Sequence, residues 1–220
     1  MKSYNYRLQF ITHHNERYSY IDSARLALEG GCRWIQLRIK GAEEQQLFDA
    51  ALTVQRLCRE YGATFIINDN VAIAKRIGAD GVHLGKNDMP IAEARTLLGE
   101  GFIIGATVNT FDDITQLLKS ATPDYFGCGP YRFTSTKKNL SPTLGIEGYR
   151  DIVQLMRHNG IHIPLIAIGG IGNNDIAPLA ECGVDGIALS SSIIDAPHPT
   201  ERMREIVVLI NRQYRPNTIK

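Results

Sequence analysis

The 220 residues carry 24 Lys and Arg against 23 Asp and Glu, a formal net charge of +1, with 44% hydrophobic and 21% charged residues. These are ordinary globular proportions. The near-neutral balance excludes a bulk electrostatic pull toward nucleic acid or membrane, so any anion has to be recognised by a local cluster.

Residues 1–10 are polar and tyrosine-rich, without the apolar stretch of a signal peptide. No apolar run approaches the roughly 18 residues of a membrane span. Cys32, Cys58, Cys128 and Cys182 are scattered and form no C-x-x-C pair, so reduced thiols in the cytoplasm are expected rather than a zinc or redox motif.

In chain order, 7–12 (RLQFIT) reads as a strand, and 34–38 (WIQLR) as a second one after Gly30-Gly31-Cys32. A long helix is predicted over 43–61, with Leu47, Ala51, Val54, Leu57 and Cys58 at helical spacing. Strands follow at 64–68 (TFIIN) and, after Gly78-Ala79-Asp80, at 81–84 (GVHL). Met89-Pro90-Ile91 starts a helix, with Pro90 tolerated in its first turn. The strand 102–106 (FIIGA) leads to a helix over 111–120, where Asp112 and Asp113 suit the positive N-terminal end. Strands 124–128 (DYFGC) and 164–168 (PLIAI) precede a helix over 174–182, capped by Asn174 and stopped by Gly183. After Gly183-Val184-Asp185 comes the strand 186–189 (GIAL), and a helix over 200–214 completes the series. Several runs lack polar alternation, as strands covered on both faces do. Eight runs interleaved with helices, and no Pro- or Gly-rich linker, predict a single-domain (β/α)8 TIM barrel over 1–220.

The reactive face of such a barrel is built from the loops after the strands. Alternation sends Gln36, Arg38 and Lys40 the same way, either as an anion clamp at the mouth or as a solvated basic face. Asp69 and Asp88 end neighbouring strands, close enough to share a divalent cation, although each alone also reads as a turn residue. Residues 127–138 form a long loop with hydroxyls and lysines, suited to a diphosphate or else a basic linker. Gly169-Gly170 after the seventh strand and Ser190-Ser191-Ser192 after the eighth offer backbone and hydroxyl donors to a phosphate. His83 reads as a histidine held by hydrogen bonds near the barrel interior, and His13 and His14 as surface residues.

Taken together, QLRIK (36–40), IND (67–69), DGVHLGKND (80–88), IGATVNT (104–110), GCGPYRFTSTKK (127–138), AIGGI (167–171) and GIALSSSI (186–193) resemble the thiamine-phosphate synthase family, in family order from the second strand to the eighth. The resemblance implies an enzyme that condenses hydroxymethylpyrimidine diphosphate with a thiazole phosphate, giving thiamine phosphate and diphosphate. It implies Gln36, Arg38, Lys40, Asn68 and Lys137 as the pyrimidine diphosphate site, and Asp69 and Asp88 as ligands of Mg2+. Thr107 stands where the family usually carries serine. Thr134, Thr136, Gly169, Gly170, Ser190 and Ser191 would contact the thiazole phosphate.

The family's route is dissociative, so Arg38, Lys40 and Lys137 would act catalytically by stabilising the departing diphosphate, with no strong general base needed. Ile39, Lys86, Asn109 and Arg132-Phe133 depart from the commoner acidic residue, glutamine, histidine and Phe-Pro. Three rivals are a thiazole tautomerase, which needs no diphosphate clamp, a sugar-phosphate isomerase, which needs an acid/base pair, and a catalytically silent metabolite-binding barrel. The sequence leaves a homo-oligomer open.

Overall fold

The computed structural model describes residues 6–133 and 142–214. Strands β1 (Leu8–Ile11), β2 (Trp34–Leu37), β3 (Thr64–Asn68), β4 (Gly81–Leu84), β5 (Ile103–Val108), β6 (Tyr125–Cys128), β7 (Leu165–Ile168) and β8 (Gly186–Leu189) pair in chain order, all parallel. β8 then pairs with β1, Ala188 opposite Gln9, and the sheet closes into a barrel. All eight predicted runs are strands. Around them lie α1 (Tyr20–Glu29), α2 (Glu44–Glu60), α3 (Val71–Ile77), α4 (Ile91–Leu98), α5 (Phe111–Leu118), α6 (Gly145–His158), α7 (Ile176–Cys182), α8 (Ser191–Ile194) and α9 (Pro199–Gln213). Among the described residues no helix is long and apolar enough to cross a membrane.

The sequence reading did not single out α1, α3, α6 and the four-residue α8. Of these, only α6 and α8 begin without a side-chain cap, since Asn70 caps α3 by accepting from the Ile73 N–H. The capping box of α1 uses Ser19 with the short Asp22, α3 has seven residues, and α6 opens on Gly145 at φ 57°. The start of α7 also differs from expectation. Asn174 lies inside a 3-10 turn over Asn173–Asp175, and it is the Asp175 carboxylate that accepts from the Gly172 N–H, at 2.8 Å. Pro90 is the residue before α4 rather than part of its first turn, because its ψ of 140° is not helical.

Apolar side chains on the outer face of the strands pack under the helices. Inside the barrel, Trp34 meets Tyr125 edge-on with ring centroids 4.9 Å apart, packed with Ile66, Ile103 and Ile166. The Gly–Ala–Asp and Gly–Val–Asp turns acquire a structural reason. Asp80, Asp124 and Asp185, just before β4, β6 and β8, accept through a carboxylate oxygen from the N–H of Phe65, Ile104 and Leu165 at 2.8, 2.7 and 2.8 Å. Each of these aspartates also donates its own N–H to the carbonyl of the same partner. The pairs of bonds satisfy backbone donors at the end of the sheet remote from the loops that follow the strands.

Candidate active site

The C-terminal ends of the strands surround a cleft of about 340 Å³. Arg38 reaches it from the end of β2, where its backbone N–H is held by Thr12 Oγ1 at 2.9 Å. Burial lowers the proton affinity of the guanidinium, and the nearby Asp69 raises it again. Lys40 does not follow. β2 ends at Leu37, Gly41 turns the chain at φ 65°, and Lys40 is exposed and does not line the cleft. Strand alternation therefore does not extend as far as Lys40, and of the three expected clamp residues Gln36 and Arg38 line the cleft.

Asn68 and Asp69 close β3 at the cleft wall. Asp69 is the only described residue other than glycine at positive φ, 63°, a conformation that costs energy unless the surroundings enforce it. Asp88, from the loop after β4, is aimed by the Gly85 N–H, which donates to its Oδ2 at 2.6 Å. A Cβ at Gly85 would lie 2.8 Å from that oxygen, so a side chain there would push the Asp88 carboxylate out of this position. The two carboxyl groups lie close enough to influence each other's ionisation. Burial first, and then the like charge of Asp88, push Asp69 up to about 7, against the pull of Arg38. Among the described residues no three His, Cys, Asp or Glu gather as a metal cluster. A pair of acids competing for one proton is nevertheless the donor set that a hard divalent cation relieves, with water and substrate oxygens filling its other positions.

Across the cleft, Gly169 (φ 98°) and Gly170 (φ 68°) follow β7 in a conformation that favours glycine. The Gly169 carbonyl accepts from the Arg132 N–H at 2.9 Å, which continues the pairing of the β6 and β7 ends. The Arg132 side chain grips Asp175 through both terminal nitrogens at 2.6 Å. Ser190, Ser191 and Ser192 line the same side, but the Ser190 hydroxyl donates to the Ile11 carbonyl at 2.9 Å. Its proton is therefore already committed. Thr134, Thr136 and Lys137 lie outside the described residues.

On the β5 side, Thr107 lines the cleft, and Asn109 lines it while donating through Nδ2 to the Gly129 carbonyl. Lys86 pairs with Asp113 at 2.6 Å, and Asp113 also accepts from the Asn109 N–H at 2.8 Å. The departures at positions 86 and 109 are thus joined through one carboxylate. His83 is 9% exposed and hydrogen-bonded through both ring nitrogens, at the inner wall of the cleft. His13 and His14 do not line the cleft. Gln9 and Thr12, which do, were missed. The available signal was a polar residue inside the apolar run 7–12 and another at its end.

The thiamine monophosphate synthase family model matches residues 8–193. A thiamine-phosphate synthase of Phocaeicola vulgatus is 54% identical over 209 residues, covering 95% of this chain and all of that protein. One from Bacteroides fragilis is 56% identical over 200 residues, covering 91% and 98%. The solved thiamine phosphate pyrophosphorylase of Pyrococcus furiosus superposes with a TM-score of 0.82 at 34% identity, covering 95% of this chain and 97% of that one. With a family match from β1 into α8 and relatives this similar over nearly their whole length, the chain belongs to the thiamine monophosphate synthase family.

Proposed function

We propose that this chain is a magnesium-dependent transferase of the cytoplasm that joins hydroxymethylpyrimidine diphosphate to a thiazole phosphate, releasing diphosphate. The observation that carries the reading is the pairing of Asp69 with Asp88 beside Arg38 in one cleft, opposite the Gly169-Gly170 turn. Negative charge develops on the leaving diphosphate as its bond to the pyrimidine methylene breaks. Arg38 is already partly desolvated, so its attraction for that charge is stronger than it would be in water. Bound at Asp69 and Asp88, Mg2+ would supply further positive charge to the same oxygens.

Gln36 and Asn68 orient the pyrimidine between these groups, and Lys137 adds a second cation. On the far wall, the Gly169-Gly170 turn lets the backbone approach the thiazole phosphate closely. The thiazole nitrogen attacks with its own lone pair, so no residue has to remove a proton from it. The reaction therefore does not depend on an acid/base pair at the mouth, whereas that of a sugar-phosphate isomerase would.

The test is incubation with both phosphorylated substrates and Mg2+, following thiamine phosphate and diphosphate together. Both products are expected in equal amounts, and chelation should stop their formation. Asp88→Ala and Lys137→Ala should each lower kcat about a hundredfold or more with the barrel still folded. Near-normal turnover in both variants refutes the assigned roles.

A further inference from the structure

Side chains from five strands join in one polar file across the barrel interior. Gln36 Nε2 donates to Gln9 Oε1 at 3.3 Å, and Gln9 Nε2 donates to the Tyr125 hydroxyl at 3.3 Å. That hydroxyl lies 3.0 Å from His83 Nδ1, and His83 Nε2 lies 2.9 Å from Thr107 Oγ1. Gln9, Gln36, Tyr125 and His83 are buried, and both ends of the file, Gln36 and Thr107, line the cleft. Room for the two rings comes from glycines on adjacent strands. A Cβ on Gly105 would lie 2.1 Å from Tyr125 Cζ, and one on Gly127 2.7 Å from His83 Cε1. Any side chain at either position would displace the file.

The file has a direction. A phenol has one hydrogen to donate and can also accept. Tyr125 accepts from Gln9, and burial holds it in the protonated form, so its hydrogen is left for His83 Nδ1. A neutral imidazole that accepts at Nδ1 carries its hydrogen on Nε2, which here faces Thr107 Oγ1. Thr107 is thereby an acceptor within the file, and its own hydrogen remains for the cleft. A threonine hydroxyl otherwise rotates to donate or accept as its neighbours demand.

Resting on the synthase reading above, we propose that Tyr125 and His83 are positioning residues that fix Thr107 as a hydrogen-bond donor toward the bound pyrimidine. The ring nitrogens of a pyrimidine are acceptors, so a donor locked in place favours them over a ring that presents N–H at the same point. Gln36, at the other end, has an amide N–H engaged by Gln9 and retains its oxygen to accept.

Two measurements test this. In protein labelled with 15N-histidine, long-range proton–nitrogen spectra near neutral pH should show His83 neutral with its hydrogen on Nε2. A hydrogen on Nδ1, or a doubly protonated ring, overturns the proposal. Thr107→Val and Tyr125→Phe should each lower kcat/KM for the pyrimidine diphosphate about tenfold. The double variant should be no worse than Thr107→Val alone, because both changes remove the same donor. Losses that multiply to about a hundredfold overturn it. If Tyr125→Phe fails to fold, the spectrum of the unaltered protein decides. A protein with the Nε2 hydrogen that makes no thiamine phosphate supports the file and refutes only the reaction.

Discussion

Asp175 shows how a departure at one residue is absorbed by another. Its carboxylate is buried and accepts from the Gly172 N–H, from the Arg132 fork and, at 3.4 Å, from the Tyr131 hydroxyl. Arg132, where the family usually carries an aromatic residue, lies over the Tyr131 ring at 4.7 Å. The pair ties the strand-six loop to the glycine turn that lines the cleft, without Arg132 lining it. Arg132→Met leaves the Asp175 carboxylate with two fewer partners. Because the Arg132 side chain is 57% exposed, the loss of stability should be modest, about 1 kcal/mol. The functional signature should be a KM for the thiazole phosphate raised about tenfold, with kcat nearly unchanged. Arg132→Lys should not restore it, since an ammonium cannot bridge both carboxylate oxygens as the fork does. A fall in kcat at constant KM would instead place Arg132 in the chemical step.

The strands were legible element by element because a buried parallel strand leaves a short apolar run that few other segments imitate. Arg38, Asp69 and the Gly169-Gly170 turn were legible for the same reason, since each sits directly after such a run, and Asp88 follows in the short loop after β4. The path of the chain at Lys40 was not legible because β2 stops three residues before it, and where a strand ends within a polar stretch depends on its neighbours. The Gln9–Tyr125 bond could not be read at all, because it joins positions 116 apart that meet only when the barrel closes. The aspartates before β4, β6 and β8 fall between these cases. Their Gly-x-Asp pattern was visible in two of the three turns, but the strand each one caps was not. Asp185→Ala leaves the Leu165 N–H without its carboxylate at the end of the barrel away from the cleft. Denaturant unfolding should show a loss of about 1–2 kcal/mol, with kcat and KM unchanged. A change in turnover without a loss of stability would contradict a purely structural role for these staples.

Closing the barrel imposes a cost that no single strand bears. It brings the ends of β3 and β4 together, so that two carboxyl groups share a partly buried corner with Asp69 in a strained conformation. The folded protein holds a proton on Asp69 up to about 7, whereas the ordinary value is 3.8. Stability contributed by this group is therefore fully present below about 4 and is lost as the pH rises through about 7. A divalent cation held by the two carboxylates would take the place of that proton, and it would bind the folded form in preference to the unfolded chain. Magnesium should accordingly raise the thermal midpoint more at pH 8 than at pH 5. A gain of roughly 2–4 °C is expected for each kcal/mol recovered in a protein of this size. Asp88→Asn removes one charge and one ligand, and so should abolish the pH dependence of the magnesium effect while leaving other titrating groups in place. Equal magnesium shifts at both pH values, or an unchanged response in Asp88→Asn, would mean that the two acids meet in the fold without acting as one cation site.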